Sequence, residues 1–362
     1  MKFPWIFFLL VIFIPLFLLA ITVELKSARQ TVFSKQSQKG TLAIATKKIL
    51  TITPSKIPVN TVYLGMWTEG FWNENTYSLH PEALTTLQNQ IGKKVAIAHY
   101  YRGWENLGKE SFRTELETIQ QNGWRPMVSA NPYFFSQCSQ GSKNIYRTIA
   151  DGDCDAFLQT IGKTFKTFNK PVFLRFAWEM NIGPIDWSTQ KTQSTPNDFV
   201  QAWRRFHEIV VSQGATNVLW VWSPNVNTGG SIAYSSLYPG DSYVDWLGLD
   251  GYNWGTSKSW THWESFSEIF QSSYQALVGL APAKPIMIAE TNTTDQGGNK
   301  AMWYQDMIST QLLYNFPKIK AVIFYNEDRS KQEQVNWLIT VSPASLDTFS
   351  RLIKNPNYLS SF

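Results

Sequence analysis

The chain has 362 residues, 43% of them apolar and only 16% charged. That suffices for one large α/β domain with a substantial core plus a leader, and it excludes a small module. The formal net charge is +5, but Lys and Arg are scattered without a basic stripe, so no nucleic-acid footprint is present.

The first segment, from Phe3 to Val23, carries no charge. That length spans a bilayer; a cleaved signal peptide is the alternative. Only a poor small-x-small site follows Ala20, which favours an uncleaved anchor. The expected organisation is therefore a signal anchor or signal peptide over 1–23, a polar tether over 24–58 and a single folded domain over 59–362. Pro54 and Pro58 close the tether. Such a leader implies an extracytoplasmic protein, membrane-anchored or secreted. In that setting the two cysteines, Cys138 and Cys154, are expected to form a disulfide; in a cytosolic protein they would be two free thiols.

Eight short apolar segments follow, at 61–67, 94–100, 125–131, 171–179, 217–225, 244–252, 285–290 and 320–327. Most are continuous apolar runs, the mark of strands covered on both faces. Helical periodicity lies between them. Leu158, Ile161, Phe165 and Phe168 share one face, and so do Phe199, Trp203, Phe206 and Val210. Pro282 and Pro285 stop a helix before the seventh strand. Eight alternations over about 300 residues predict a (β/α)8 barrel. A doubly wound open sheet is the runner-up, but "TEGFWNEN" after the first strand is no phosphate-binding turn.

In such a barrel the chemistry sits at the carboxyl ends of the strands. These ends carry Trp67 and Glu69; His99, Tyr100 and Tyr101; Asn131 and Tyr133; Trp178, Glu179 and Asn181; Trp222 and Asn225; Asp250, Tyr252 and Trp254; Glu290; and Tyr325 with Asn326. The 16 Trp, 15 Tyr and 23 Phe therefore read as more than core, because sugars lay their apolar C–H faces on aromatic rings. Glu179 and Glu290 each close an apolar strand, and strands four and seven face each other across a closed barrel. Paired carboxylates across a cleft are what glycosidic cleavage needs. The bland reading makes both ordinary ion-pair partners or solvent-facing strand ends.

The stretches "FLRFAWEMN", "FVQAWRRFHEIVVSQGATNVLWVWSPNVN", "YPGDSYVDWLGLDGYNWG" and "KPIMIAETNT" stand in that order on strands four to seven. Together they resemble glycoside hydrolase family 26, the family of endo-β-mannanases and β-1,3-1,4-glucanases in the clan of retaining (β/α)8 glycosidases. The resemblance covers roughly residues 60–350. It implies Glu179 as acid/base, Glu290 as nucleophile and Tyr252 as the tyrosine that hydrogen-bonds the nucleophile. Two positions depart from the pattern: Trp178 stands where His is usual before the acid/base, and Asn292 where Gly is frequent after the nucleophile. Trp offers one N–H donor and no acceptor, so the first departure bears on which sugar is accepted.

Other motifs carry less. "DGDCD" (151–155) has the alternating aspartates of a calcium loop but lacks Gly and Glu at the required positions, where Ala156 and Gly162 stand, so an Asp helix cap is expected. His80, His99, His207 and His262 show no paired metal spacing; His207 reads as a helix-surface residue, and His99 as a sugar contact or a packed polar group. "NTT" (292–294) matches a glycosylation sequon, but a glycan there would block the cleft, so the match is treated as chance.

The expectation is a monomeric, cofactor-free and metal-free endo-β-glycanase. It acts with retention on a β-1,4-linked polysaccharide, mannan first and mixed-linkage β-glucan second, and touches the membrane only through its N-terminal segment. The expected sugar contacts are Trp67, His99, Tyr100, Arg175, Trp178, Asn181, Trp187, Trp222, Asn225, Tyr252, Trp254 and Tyr325. The rivals are an exopolysaccharide-trimming hydrolase and a non-catalytic carbohydrate-binding protein on the same scaffold.

Overall fold

The computed structural model describes residues 61–73, 75–132, 138 and 144–362. The expected leader and tether, and Tyr133, lie outside them. Eight parallel strands close on themselves: β1 Val62–Thr68, β2 Ile97–Gly103, β3 Arg125–Asn131, β4 Val172–Phe176, β5 Val218–Trp222, β6 Trp246–Asp250, β7 Ile286–Thr291 and β8 Ile319–Asn326. They pair in chain order, and β8 returns to β1 with Tyr63 opposite Ala321 and Thr68 opposite Asn326. The architecture is a (β/α)8 barrel; closure rules out the open sheet.

Helices cover the outside: α1 Pro81–Ile91, α2 Glu110–Gln121, α3 Asp155–Phe168, α4 Pro196–Ser212, α5 Phe266–Leu280, α6 Lys300–Asp306 and α7 Pro343–Ile353. The crossover from β5 to β6 departs from the pattern, with only the short helix Tyr234–Leu237 and the turn Asp241–Tyr243. The apolar faces read from the sequence in α3 and α4 are buried. These two helices pack closely enough that a Cβ on Gly162 would lie 2.8 Å from Gln213 Cγ. Capping boxes start α4 at Thr195 and α5 at Ser265, with Asp198 and Glu268 closing them.

Apolar residues divide between an outer core under the helices and an inner layer inside the barrel. The inner layer holds Tyr63, Ile97, Met127, Phe173, Val221, Trp246, Met287, Ala289, Ala321 and Ile323. Because side chains alternate along a strand, these residues fix which positions nearer the carboxyl ends face inward. On β2 they are His99 and Tyr101, leaving Tyr100 on the outer face; on β5 the outer face takes Trp220 and Trp222. Two aromatics expected near the cleft, Tyr100 and Trp222, are therefore core, both fully buried.

Cys138 and Cys154 are bonded, with Cα atoms 4.6 Å apart. Asp155 does not cap α3: the cap position is Cys154, which makes no side-chain capping bond. Asp155 lies in the first turn and pairs with Arg205 at 2.5 and 2.6 Å. His207 is not a surface residue; it packs between Trp220 and Tyr243. Among the described residues no cluster suited to a metal ion occurs, and no helix is long and apolar enough to cross a membrane.

Candidate active site

Glu179 stands just beyond β4, on a backbone that leaves the strand through two left-handed residues. Ala177 has φ +46° and Glu179 φ +55°. Neither is glycine, so each costs about 1–2 kcal/mol and persists only where its surroundings over-determine it. They do: Ala177 N–H donates to the Ala130 carbonyl on β3 at 2.9 Å, and Glu179 N–H to the Ser223 carbonyl after β5 at 2.8 Å. The double reversal ends the alternation of β4 at Phe176 and aims Glu179 into the barrel mouth. There Asn225 Nδ2 donates to Glu179 Oε1 at 2.5 Å.

Glu290 reaches the mouth by a different device. Ile286 and Ile288 belong to the outer core and Met287 and Ala289 to the inner layer, so strict alternation would turn Glu290 outward. The register skips one residue on β7 against both neighbours: Leu249 and Asp250 pair with Ile288 and Glu290, and Val322 and Phe324 with Ile288 and Thr291. This bulge turns Glu290 inward; bulges commonly re-aim side chains next to active sites.

Below the two glutamates lies a buried ionic floor. Arg175 Nη2 donates to Glu290 Oε1 at 2.6 Å and to Asp250 Oδ2 at 3.0 Å. Tyr252 donates its hydroxyl to Glu290 Oε2 at 2.7 Å, and Ser223 donates to Asp250 Oδ1 at 3.2 Å. Both oxygens of Glu290 thus have a donor, one of them a cation, which fixes the carboxylate's orientation.

The electrostatics of the site bear most on Glu179. Burial, and then the nearby charge of Glu290, push the Glu179 carboxyl up to about 7, against the opposing pull of Asn225 and Arg175. Burial also raises Asp250, only partly offset by Arg175. His99 is fully buried and held well below the usual range, first by burial and then by the Arg175 charge. The phenols of Tyr101 and Tyr252 are pushed up by burial and by the charge of Glu290, to which Tyr252 also donates a hydrogen bond.

The expected sugar contacts sort into three groups. Trp67, Trp178, Trp187, Asn225, Tyr252, Trp254 and Tyr325 gather round the mouth. Trp178 packs against Trp187, Tyr101 and the Arg175 guanidinium. Tyr252 and Trp254 pack on Trp337, each 5.0 Å away between centroids. Arg175, His99 and Asn181 lie beneath the surface, fully buried. His99 bonds Ser129 at 2.7 Å, and Asn181 holds Asn225 through both ends of its carboxamide, at 2.8 and 3.0 Å. They position other groups and are not contact surfaces. Tyr100 and Trp222 are misplaced by the sequence reading. Tyr100 points outward to Glu115 on α2, and Trp222 donates to the Leu237 carbonyl in the outer core.

Tyr101 and Asp250 were absent from the expected contacts. Strand parity, counted from the apolar Ile97, would have chosen Tyr101 over Tyr100. Asp250 has no such signal, because a buried carboxylate is legible only once its arginine is seen beside it.

A family model described as glycosyl hydrolase family 26 matches residues 139–324, a span that holds both Glu179 and Glu290. The chain belongs to glycosyl hydrolase family 26. Among curated proteins, Endoglucanase H of Acetivibrio thermocellus is 30% identical over 275 residues, which is 75% of this chain and 29% of that protein. A mannan endo-1,4-beta-mannosidase of Bacillus subtilis strain 168 is 27% identical over 210 residues, 51% of this chain and 57% of the relative. The chain thus spans less than two thirds of either relative. The catalytic domain of a family 26 endo-beta-1,4-mannanase from Bacillus sp. JAMB-750 shares the fold, with TM-score 0.62 and 16% identity over 83% of this chain and 87% of that one.

Asn292, which departs from the expected glycine, has a structural role. Asn292 is fully buried; its Nδ2 donates to the carbonyls of Tyr325 and Trp337, both at 2.7 Å. Its Oδ1 accepts from the Tyr304 hydroxyl at 2.7 Å. It clips β7 to β8 and to the loop bearing Trp337, and its burial leaves no room for a glycan at "NTT".

Proposed function

We propose that this chain is a retaining endo-β-glycanase, cleaving a β-1,4-linked polysaccharide by double displacement. The observation that carries the reading is the opposite surroundings of the two strand-end glutamates. Glu179 holds its proton up to about 7 and can give it to the leaving oxygen. Glu290, gripped by Arg175 and Tyr252, is oriented to attack the anomeric carbon. Once the leaving group departs, Glu179 is the carboxylate that takes a proton from the incoming water. This route needs no cofactor.

The preferred substrate is β-mannan, in keeping with the names of the Bacillus relatives. A β-glucan is the second reading, favoured by the longer match to Endoglucanase H. The uncharged stretch 3–23 supports export with a membrane tether as part of the same proposal.

The test is a glycan panel on the chain from about residue 58 onward, followed by proton NMR of the first product. Retention gives the β-anomer before mutarotation. An α-product overturns the double displacement, and no reducing ends from any β-glycan favours the carbohydrate-binding rival.

A further inference from the structure

Cations that lie scattered along the sequence gather at one end of the folded barrel. Arg125 opens β3, Lys94 and Lys170 precede β2 and β4, Lys318 and Lys320 bracket the first residue of β8, and Lys354 follows α7. All six stand at the amino ends of the strands, the end opposite the two glutamates. The strands concerned are neighbours, because β8, β1, β2, β3 and β4 run side by side round the barrel. The end of α7 joins the same arc. Lys354 Nζ would lie 3.7 Å from a Cβ on Gly92 at the end of α1, and the short strand Tyr358–Leu359 pairs with the start of β1.

No acid answers these charges. None of the six forms an ion pair among the described residues. Asp241 and Asp245 also stand at the amino end, but in the crossover into β6, away from the arc. Lys94, Lys170 and Lys354 are exposed. Burial, and then the charge of Lys318, lower the Lys320 ammonium, so like charge faces like. Uncompensated like charges work against the compact state, and this arc therefore calls for a reason. Helix dipoles supply only part of one, since helix carboxyl ends abut this face and favour cations. The end of α4 is equally placed, and residues 213–217 after it carry none.

Two further observations say what covers the face. A hollow of about 200 Å³ within the arc is lined by Arg125, Lys170, Ser361 and Phe362, among others, and by no carboxylate side chain. Phe362 is 42% exposed, and the Arg125 guanidinium lies 3.4 Å from its ring centroid. An exposed aromatic among cations is the composition of surfaces that lie on bilayers, the ring for the acyl boundary and the cations for headgroup phosphates. The chain also enters the barrel here: β1 starts at Val62, in the middle of the arc, and residues 24–60 join it to the uncharged stretch 3–23. A link of that length gives the face a high effective concentration against any bilayer that holds the stretch. We propose that the amino-end face of the barrel docks on anionic lipid headgroups and so turns the two glutamates away from the bilayer. The inference draws on the membrane tether proposed above and is independent of the glycan cleaved.

The experiment reconstitutes the full chain in vesicles of phosphatidylcholine, with and without about 30% phosphatidylglycerol. Lysines are acylated with a membrane-impermeant reagent and read by peptide mass spectrometry, relative to exposed Lys331 on the loop after β8. Each cation at an anionic surface strengthens association about 5-fold. Lys94, Lys170 and Lys354 should therefore react about 5-fold or more slowly in the anionic vesicles, and about 0.5 M salt should erase the difference. Lys94→Gln combined with Lys170→Gln, both at exposed positions without ion pairs, should return Lys354 toward its rate in neutral vesicles. Equal rates in the two kinds of vesicle, or protection no greater than at Lys331, overturns the docking face. Protection by soluble polyphosphate but not by anionic vesicles overturns it too and assigns the face to a soluble polyanion. Flotation separates the tether from the face. A chain that floats only with anionic vesicles, with the same lysines protected, overturns the tether and leaves the face standing; a chain that floats with neither overturns both.

Discussion

Asn225 donates to Glu179 at 2.5 Å, and Asn181 grips Asn225 from behind through both its backbone N–H and its carbonyl. The donor favours the charged carboxylate and so opposes the burial and the Glu290 charge that lift Glu179 to about 7. In the wild type kcat/KM should therefore fall as pH rises through about 7, when Glu179 loses its proton. Asn225→Ala removes the opposing donor, so this basic limb should move to higher pH. A pH profile of kcat/KM for both proteins checks it; a limb that stays put or moves down contradicts the account.

The roles of the two glutamates separate by substrate. Glu179→Ala should lose about 10²- to 10⁴-fold on polysaccharide, the usual worth of general acid–base help. An aryl glycoside with a good leaving group should still form the covalent intermediate, and azide should release it as the β-glycosyl azide. Glu290→Ala should lose the double displacement on both substrates. Near-normal turnover by Glu290→Ala, or its rescue to the β-azide, reverses the assignment.

Glu179 should also cost stability in a defined pH window. Its folded-state pKa is raised from 4.5 to about 7. Stability from this group is therefore complete below about 4.5 and is lost as pH rises through about 7. Glu179→Gln carries no charge to bury, so it should be more stable than wild type by about 1–3 kcal/mol at pH 8 and close to it at pH 4.5. Denaturant melts at the two pH values decide it; a gain of equal size at both would point to packing instead.

The Cys138–Cys154 bond closes a loop of fifteen intervening residues against the start of α3. In the chain-entropy model such a link contributes about 3 kcal/mol, through the unfolded state. Cys138→Ser should lower stability by up to that amount, read as a shift in urea midpoint. Wild type in a strong reductant should match the variant, and an unchanged midpoint in both would show that the link contributes nothing.

Asn292→Gly would restore the residue frequent in the family and yet should destabilise. It strands the buried carbonyls of Tyr325 and Trp337 and the Tyr304 hydroxyl. Losses of about 1–3 kcal/mol per stranded group set the scale. KM should rise as well, because Trp337 supports Tyr252 and Trp254. Thermal melts and KM on the cleaved glycan test both parts.

The fold was legible because its signal is local and repeated. Runs such as 217–225 and 285–290 read as strands buried on both faces, and the stripe Phe199, Trp203, Phe206, Val210 reads as one helix face. The catalytic end followed from where those strands stop. The errors came where one residue decides direction. Tyr100 and Tyr101 are chemically alike in a list, and only the parity set by Ile97 distinguishes core from cleft. Trp222 ends a strand yet faces the outer core, whose fifth crossover offers only a short helix to cover it. Glu290 would have failed the parity test, since the bulge that turns it inward leaves no mark in the sequence.

The paired left-handed residues around Trp178 set a limit on stabilising this protein. Replacing a strained non-glycine by glycine usually relieves backbone strain, so Ala177→Gly would rank high in a thermostability screen. Here the strain is what turns the chain out of β4 and sets the heading of Glu179. A glycine at 177 would let the segment relax toward headings that alanine forbids, trading durability against reach. The position is one where a gain in melting temperature and a loss of turnover should arrive together, and where heat resistance alone would select the wrong variant.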